Sequence, residues 1–570
     1  MNDVNKEPPW VQFYGNVPAT LEYPQITLYE AVMHTVARLP DAVAFDFLGY
    51  TATYRELGAA IDRGANALAS IGVKRGDGIT ISMPTSPQGV ICFYAANKLG
   101  AVSSMIHPLS TRDELELYLK ASGSRFALTL DAFYEKFAHL RPATALEVVI
   151  LARIPEYLPP LARLGFWLTK GRKVPRVPPD PGVRWWGDLM RASHPQAPRA
   201  PTGTHDPAVI MYSAGTTGTP KGILLSSQNL ISEGTQVATW GGMGQGDAML
   251  AVLPLFHGAG LGVCINASLM VGCKCIMLPT FDAKEVARAI RKKRPNLMVG
   301  VPTLYDALVR DPSLAHTDLS CLRATFSGAD TLPRPVKERF ERFVAASGGS
   351  VKLLEGYGLT EAVSAIMAMP LGTHREGSIG IPFPDVFVTI TVPGTPNEVA
   401  VGEEGEICVS GPPVMLGYMS APEETAAALQ THADGRTWLH TGDLGRMDAD
   451  GFCYFTCRLK RLIKSSGFNV YPAQVEAVLY QHAAVEEACV VGVHDERQIE
   501  RVKAFVVLKD RTQIGADMEK RLIEHCRAHL IKWSCPREVE FRDRLPRTRI
   551  GKIDFKLLVA EHAARMRPQG

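Results

Sequence analysis

No uncharged apolar run in the sequence approaches the roughly 18 residues that a membrane-crossing helix needs, so a transmembrane protein is not expected. A charged-then-apolar amino terminus is also missing. Met1 to Pro9 is polar, which argues against a signal peptide. Charge of one sign is not in excess: 61 basic residues face 58 acidic ones, leaving +3. That balance speaks against a dedicated nucleic-acid binder and against a solvated acidic chain. The 11 cysteines lack zinc-site spacing, the closest pairs being Cys273 with Cys275 and Cys453 with Cys457. Most sit in apolar runs such as Val263-Cys264-Ile265 and read as small buried hydrophobes in a reducing compartment. Internal repeats and low-complexity tracts are absent.

What is present is an ordinary globular composition, 46% hydrophobic and 21% charged over 570 residues. At about 100–200 residues per domain, that length suits two to five domains. The first 150 residues alternate strand and helix. Ala42 to Phe47 and Tyr50 to Tyr54 read as a hairpin, Tyr54 to Ile71 as a helix, Gly78 to Met83 as a strand and Gln88 to Leu99 as a helix. Residues 153–181 break the rhythm with prolines, apolar residues and basic residues. They read as an irregular surface insertion, ahead of an amphipathic patch lying on a membrane.

From Asp282 onward the pattern sharpens. Asp282 caps a helix with Glu285 at the third position. Leu297 to Val301 is a strand, Pro302 opens a helix, Ala324 to Ser327 is a strand, Arg334 to Ala346 a helix and Val351 to Leu354 a strand. Right-handed crossovers turn this β-α-β-α-β run into a parallel sheet. Gly300-Val301-Pro302-Thr303, Ser327-Gly328-Ala329-Asp330 and Glu355-Gly356-Tyr357-Gly358 then share the edge where open α/β sheets bind ligands. Strands at Val386–Val392 and Glu406–Val409 suggest a small β-rich unit. Gln474–Tyr480, Cys489–Gly492, Val502–Leu508 and Met518–Leu530 fit a compact mixed domain at the carboxyl end.

One stretch is dense in glycine, hydroxyls and lysine: Tyr212-Ser213-Ala214-Gly215-Thr216-Thr217-Gly218-Thr219-Pro220-Lys221-Gly222. Glycines admit a ligand close to the backbone, hydroxyls donate, and Lys221 supplies charge, as in a phosphate cradle. It is not the Walker loop, because Gly222 follows the lysine where that loop carries Ser or Thr.

Here the chain resembles the AMP-forming adenylate ligases: acyl-CoA synthetases, luciferases and peptide-synthetase adenylation domains. Ala214 departs from the usual second loop position, which contributes mainly backbone. Four further motifs follow in the family's order: Tyr357-Gly358-Leu359-Thr360-Glu361, His440-Thr441-Gly442-Asp443, the segment from Arg458 to Asn469, and Pro546 to Ile553. The resemblance implies an α/β fold. It has a large amino-terminal domain of parallel-rich sheets (1–459), with the insertion 153–181 and a β-barrel-like unit near 375–457. A small mobile α+β domain (460–570) carries a catalytic lysine, Lys552. It implies ATP, Mg²⁺ and CoA. ATP and AMP would meet Ser213, Gly215, Thr216, Thr217, Gly218, Thr219, Lys221, Gly328, Ala329, Glu355, Gly356, Tyr357, Thr360, Asp443 and Arg458. Tyr357 would stack on adenine, Thr360 bond the α-phosphate, and Asp443 accept from the ribose hydroxyls. Glu361 and Thr216 would hold the metal. Lys460 falls on the hinge, with Cys457 and Arg461 replacing a usual glycine and a usual acid. Lys464, Ser466 and Gly467 would lie along CoA.

The residue after Phe256 is His257, where peptide-synthetase domains carry an aspartate for an amino acid's ammonium. No carboxylate is available there for an α-amine; the resemblance to acyl- and aryl-CoA ligases implies that His257 gates the reacting carboxylate, with a core histidine as the alternative. Phe256, His257, Leu261, Val301 and Gly328 form an apolar acyl pocket, which suits an alkyl chain at about 0.8 kcal/mol per buried methylene. The resemblance is strongest to bacterial medium- and long-chain fatty acyl-CoA ligases, whose insertion is similar to 153–181. An aryl or sterol-type acid is the alternative, as is loading of a carrier protein in place of CoA. The expected partners are a small carboxylic acid, ATP and CoA, with no nucleic acid. A monomer or homodimer is expected in the cytoplasm, with peripheral contact at the membrane's inner face through 153–181.

Overall fold

Strand and helix alternate as the periodicity requires, and side chains set the boundaries. Thr27, Thr53, Thr111 and Ser226 each cap a helix reciprocally with the residue three positions on. Asp282 accepts from the amides of Lys284 and Glu285, starting the helix Ala283–Lys293. A computed structural model describes residues 7–169, 174–194, 200–213, 221–465, 468–495, 499–548 and 553–566. The chain divides into two units: Met1–Val388 with Val409–Leu439, and Thr389–Cys408 with His440–Gly570.

Two parallel-rich sheets build the first unit. The nine-stranded sheet runs, in spatial order, Ile381–Pro382, Ala365–Ala368, Leu353–Gly358, Ala324–Ser327, Leu297–Gly300, Ala248–Ala251, Lys274–Met277, Val43–Phe47 and Tyr50–Thr53. Gly300 pairs with Ser327, and Ser327 with Glu355, in parallel register. The three segments expected to share a rim therefore stand side by side. The core beneath is Leu250, Ile276, Met298, Leu304, Tyr305 and Phe340, with neighbours of the same kind. The eight-stranded sheet runs Gly417–Tyr418, Lys221–Ser226, Pro207–Ser213, Val102–Met105, Gly78–Ser82, Phe126–Leu130, Val148–Ala152 and Val183–Trp185.

Two local expectations need correction. The strand expected over Val351–Leu354 runs from Leu353 to Gly358, because Gly356, Tyr357 and Gly358 pair antiparallel with Ala368, Met367 and Ala365. The residues 153–181 are not irregular throughout: Pro160–Thr169 is a helix. Pro160 opens it rather than breaking it, since a first-turn residue has no amide hydrogen bond to lose. Leu161, Leu164 and Leu168 stand 86%, 60% and 58% exposed. Among the described residues no helix is long and apolar enough to cross a membrane.

In the second unit, Ile463–Ser465, Ile499–Leu508 and Val485–Asp495 form an antiparallel core. Phe468–Val470 extends it at one edge, and Glu538–Phe541 pairs with Ile499–Leu508 in parallel. Alternation sends Val490, Ala504 and Val506 to one face with Val475, Leu479 and Leu522, and Val491, Phe505 and Val507 to the other with Leu545 and Leu558. The segment His440–Met447 lies antiparallel to Cys453–Arg458.

Candidate active site

Ser213 ends one strand and Lys221 begins the next, and the two face each other in antiparallel register. Ala214 to Pro220, including Gly215, Thr216, Thr217, Gly218 and Thr219, lie outside the described residues. Lys221 Nζ stands 4.7 Å from the centre of the Tyr418 ring, a cation–π distance. The Tyr418 hydroxyl donates to Glu361 Oε1 at 3.0 Å. Burial, and then Glu361 itself, push the Tyr418 phenol up, so it keeps its proton and remains the donor. Tyr418 thus links the lysine at the phosphate-cradle end to Glu361. The Glu361 carbonyl also accepts the Met415 amide at 2.8 Å. Sequence reading missed Tyr418. Its strand, Gly417–Tyr418, pairs with Leu224 and Ile223, so only the sheet register reveals the contact.

Thr360–Ala362 is a short 3-10 turn directly after the strand that carries Glu355, Gly356 and Tyr357. Gly358 has no room for a Cβ, which would collide with the Ser364 carbonyl. Along the rim, the Gly328 amide donates to the Gly300 carbonyl at 3.1 Å. Ala329 follows at φ +69°, a left-handed backbone uncommon for a non-glycine residue. Burial raises the Glu355 carboxyl, while Lys337 Nζ at 3.4 Å pulls it the other way.

The acid-pocket candidates enter from a different strand. The sharp turn Leu253–Gly258 leads into a π-helix, Ala259–Ala267, a form rare in long runs and often found at functional sites. The Ala259 amide donates to His257 Nδ1 at 3.3 Å, which places the neutral ring's proton on Nε2. The Phe256 ring centre lies 4.4 Å from that of His107, another residue the sequence did not flag. A Cβ on Gly258 would collide with the Val363 carbonyl. His257 is therefore one residue from direct contact with the segment that follows Thr360 and Glu361. Leu261 is fully buried, and Val301 packs against the core of the nine-stranded sheet.

The remaining candidates belong to the second unit. Asp443 pairs with Arg458 across two strands, Arg458 Nε lying 3.2 Å from Oδ1, and is 2% exposed. Its turn is braced from below. The Thr441 hydroxyl donates to the Ile407 carbonyl at 2.6 Å, the Gly442 amide to Glu406 Oε1 at 2.9 Å, and the Asp443 amide to Thr441 Oγ1 at 3.1 Å. Burial works to raise the Glu406 carboxyl, but bonds from His440, Gly394 and Gly442 outweigh it and hold it below the usual range. Lys460 sits in the short turn Leu459–Arg461. Arg461 binds Glu476 at 2.7 Å and lies 4.9 Å from the Phe555 ring centre. The basic residue therefore has its own acidic partner where the family usually places an acid. The Lys464 side chain is exposed, and its amide donates to Glu500. Ser466, Gly467 and Lys552 lie outside the described residues.

Residues 32–419 match the model of a family described as AMP-binding enzyme, and residues 474–552 that of the AMP-binding enzyme C-terminal domain. The long-chain-fatty-acid–CoA ligase of Bacillus subtilis (strain 168) is 36% identical over 98% of this chain and 99% of its own. A feruloyl-CoA synthase from Amycolatopsis is 34% identical over 90% of this chain and 94% of its own. Among solved structures, ATP-bound MatB from Rhodopseudomonas palustris superposes with a TM-score of 0.82 at 26% identity, covering 95% of this chain and 99% of that one.

Proposed function

The chain belongs to the AMP-binding enzyme family, and from that premise we propose that it is an ATP-dependent, AMP-forming ligase joining a medium- or long-chain fatty acid to CoA. The observation that carries this reading is the line Lys221–Tyr418–Glu361, set beside the turn that delivers His257. A lysine and a carboxylate bridged by a phenol suit a polyphosphate with its counter-ion. The histidine, with its proton on Nε2, suits an incoming carboxylate.

In the first half-reaction the acid's carboxylate attacks the α-phosphorus of ATP, giving acyl-AMP and pyrophosphate. Ser213, Lys221 and the glycine- and threonine-rich residues between them hold the phosphates, and Thr360 and Lys552 donate to the oxygens where charge builds up. Tyr357 packs on the adenine, and Asp443 with Arg458 takes the ribose hydroxyls. Glu361 fits a hard divalent cation: it is a carboxylate, partly exposed and oriented by the Tyr418 hydroxyl. Magnesium there, with Thr216, supplies charge neutralisation for the phosphates. In the second half-reaction the CoA thiol attacks the acyl carbon and AMP leaves. Movement about Lys460 withdraws Lys552 and brings Lys464, Ser466 and Gly467 to the site.

The fatty-acid reading is supported by the apolar Phe256 and Leu261 and by the curated relative from Bacillus subtilis. An arylcarboxylate is the second reading, favoured by the feruloyl-CoA synthase relative. Peripheral membrane contact is supported by Leu161, Leu164 and Leu168, whose spacing places them on one face of their helix. The functional test is pyrophosphate release across a panel of alkyl, aryl and sterol acids, with CoA, with a carrier protein, and with neither. Release with a fatty acid and thioester formation with free CoA are expected. Turnover with an aryl acid alone, or transfer to the carrier alone, would move the assignment to that alternative.

A further inference from the structure

Glu233 lies on the helix Ser227–Trp240, fully buried, in a part of the first unit that no step above uses. Its Oε1 accepts the Ala365 amide at 3.2 Å, and its Oε2 has no hydrogen-bond partner among the described residues. A buried carboxyl with half its bonding capacity unmet is costly, so its retention needs a reason.

The neighbouring backbone offers one. Val363 adopts φ +64°, ψ −68°, and the Ser364 amide donates to the Ala362 carbonyl at 2.7 Å. This three-residue γ-turn is strained, the more so for a β-branched residue. Strain of this kind persists only where the surroundings over-determine it.

Three elements converge on the turn. Gly358, in the strand before it, leaves space for the Ser364 carbonyl. Gly258 leaves space for the Val363 carbonyl, and Gly262 lies where a Cβ would be 3.1 Å from Val363 Cγ1 and 2.6 Å from Glu233 Oε2. Glu233 then holds the far end of the turn by the Ala365 amide. The near end is Thr360-Glu361. A backbone fixed at Ala365 and at Gly358, which pairs with it, leaves the residues between them little freedom.

We propose that Glu233 is a positioning residue. By clamping the strained turn Ala362–Ser364 through the amide of Ala365, the residue that follows it, Glu233 fixes the direction in which Thr360 and Glu361 present their side chains. Its carboxyl makes one hydrogen bond among the described residues, to the backbone at the Ala365 amide. The inference rests on the ligase reading for the roles of Thr360 and Glu361, but the clamp itself is independent of that reading.

The test compares full-length Glu233→Gln, Glu233→Leu and Val363→Gly with the parent. Gln keeps an oxygen for the Ala365 amide, Leu removes it, and Gly at 363 frees the backbone of the turn while leaving a small cavity where the buried Val363 side chain packs. Two readouts need no turnover: amide hydrogen exchange over residues 361–366, and calorimetric binding of ATP with and without Mg²⁺. Leu is expected to speed exchange there about tenfold or more and to weaken the Mg²⁺-dependent part of ATP binding about tenfold, the scale of one lost buried hydrogen bond. Val363→Gly should shift both in the same direction, while Gln should recover both to within about threefold. In turnover, Leu should lower kcat and raise the half-saturating Mg²⁺ concentration, with the acid KM little changed. Parent-like exchange and Mg²⁺ dependence in Val363→Gly and in folded Glu233→Leu would overturn the proposal. So would a loss confined to the acid KM, which would make Glu233 a pocket residue. Should Glu233→Leu fail to fold, Val363→Gly and Glu233→Gln decide alone. Absence of acid activation in the parent, with the exchange effect intact, would count against the ligase reading and leave the clamp standing.

Discussion

The buried carboxyl of Glu233 makes stability depend on pH in a direction opposite to that of most carboxylates. Burial raises it from an ordinary 4.5 to about 8, with the Ala365 amide opposing, and the Cys264 thiol on the facing π-helix is itself held neutral by burial. The folded chain binds this proton more tightly than the unfolded chain does. Its contribution is complete below about pH 4.5, is lost progressively as pH rises to about 8, and then levels off. Integrating between pH 5 and pH 8 gives a loss of about 3–4 kcal/mol, at about 1.4 kcal/mol per unit of pH between the two values. Glu233→Gln keeps the neutral shape and cannot ionise. Its Tm, followed by calorimetry of the full chain, should gain on the parent by roughly 3–5 °C between pH 5 and pH 8. The comparison cancels other titrating groups, because they are common to both proteins. A constant difference across that range, or one that narrows as pH rises, would refute the reasoning and show that Glu233 is ionised in the folded protein.

Lys552→Ala should abolish acid-dependent pyrophosphate exchange yet largely spare thioester formation from supplied acyl-AMP; surviving exchange would remove the lysine from the first half-reaction. Tyr418→Phe deletes the hydroxyl bonded to Glu361 and should slow adenylation by about ten- to a hundredfold, the scale of a hydrogen bond to a charged group, with the acid KM nearly unchanged. Replacing Leu161, Leu164 and Leu168 together by serine should reduce co-sedimentation with anionic lipid vesicles while leaving Tm within about 1 °C, because these side chains are already exposed. Unchanged vesicle binding would refute the membrane-contact reading.

Much of the architecture was legible because local signals agree there with the tertiary context. Ala324–Ser327 and Arg334–Ala346 fall where periodicity places them. The strand–helix–strand run puts Gly300, Ser327 and Glu355 in adjacent register at one rim. The misses have physical causes. Glu355-Gly356-Tyr357-Gly358 is too rich in glycine to read as strand, and only pairing with Ala365–Ala368 makes it one. The prolines of 153–181 hid a helix, because Pro160 occupies the one place in a helix that tolerates it. Tyr418 and Glu233 carry no local signature at all. One acts through the register of a short edge strand, and the other through a bond to a backbone amide far away in sequence.

The most direct test of the central claim is acid-dependent exchange of labelled pyrophosphate into ATP without CoA. Exchange that requires both a fatty acid and Mg²⁺, with AMP and acyl-CoA appearing once CoA is added, is the predicted result. Release of ADP and phosphate, or acyl-CoA formation with no exchange under any acid, would contradict a mixed anhydride between the acid and AMP.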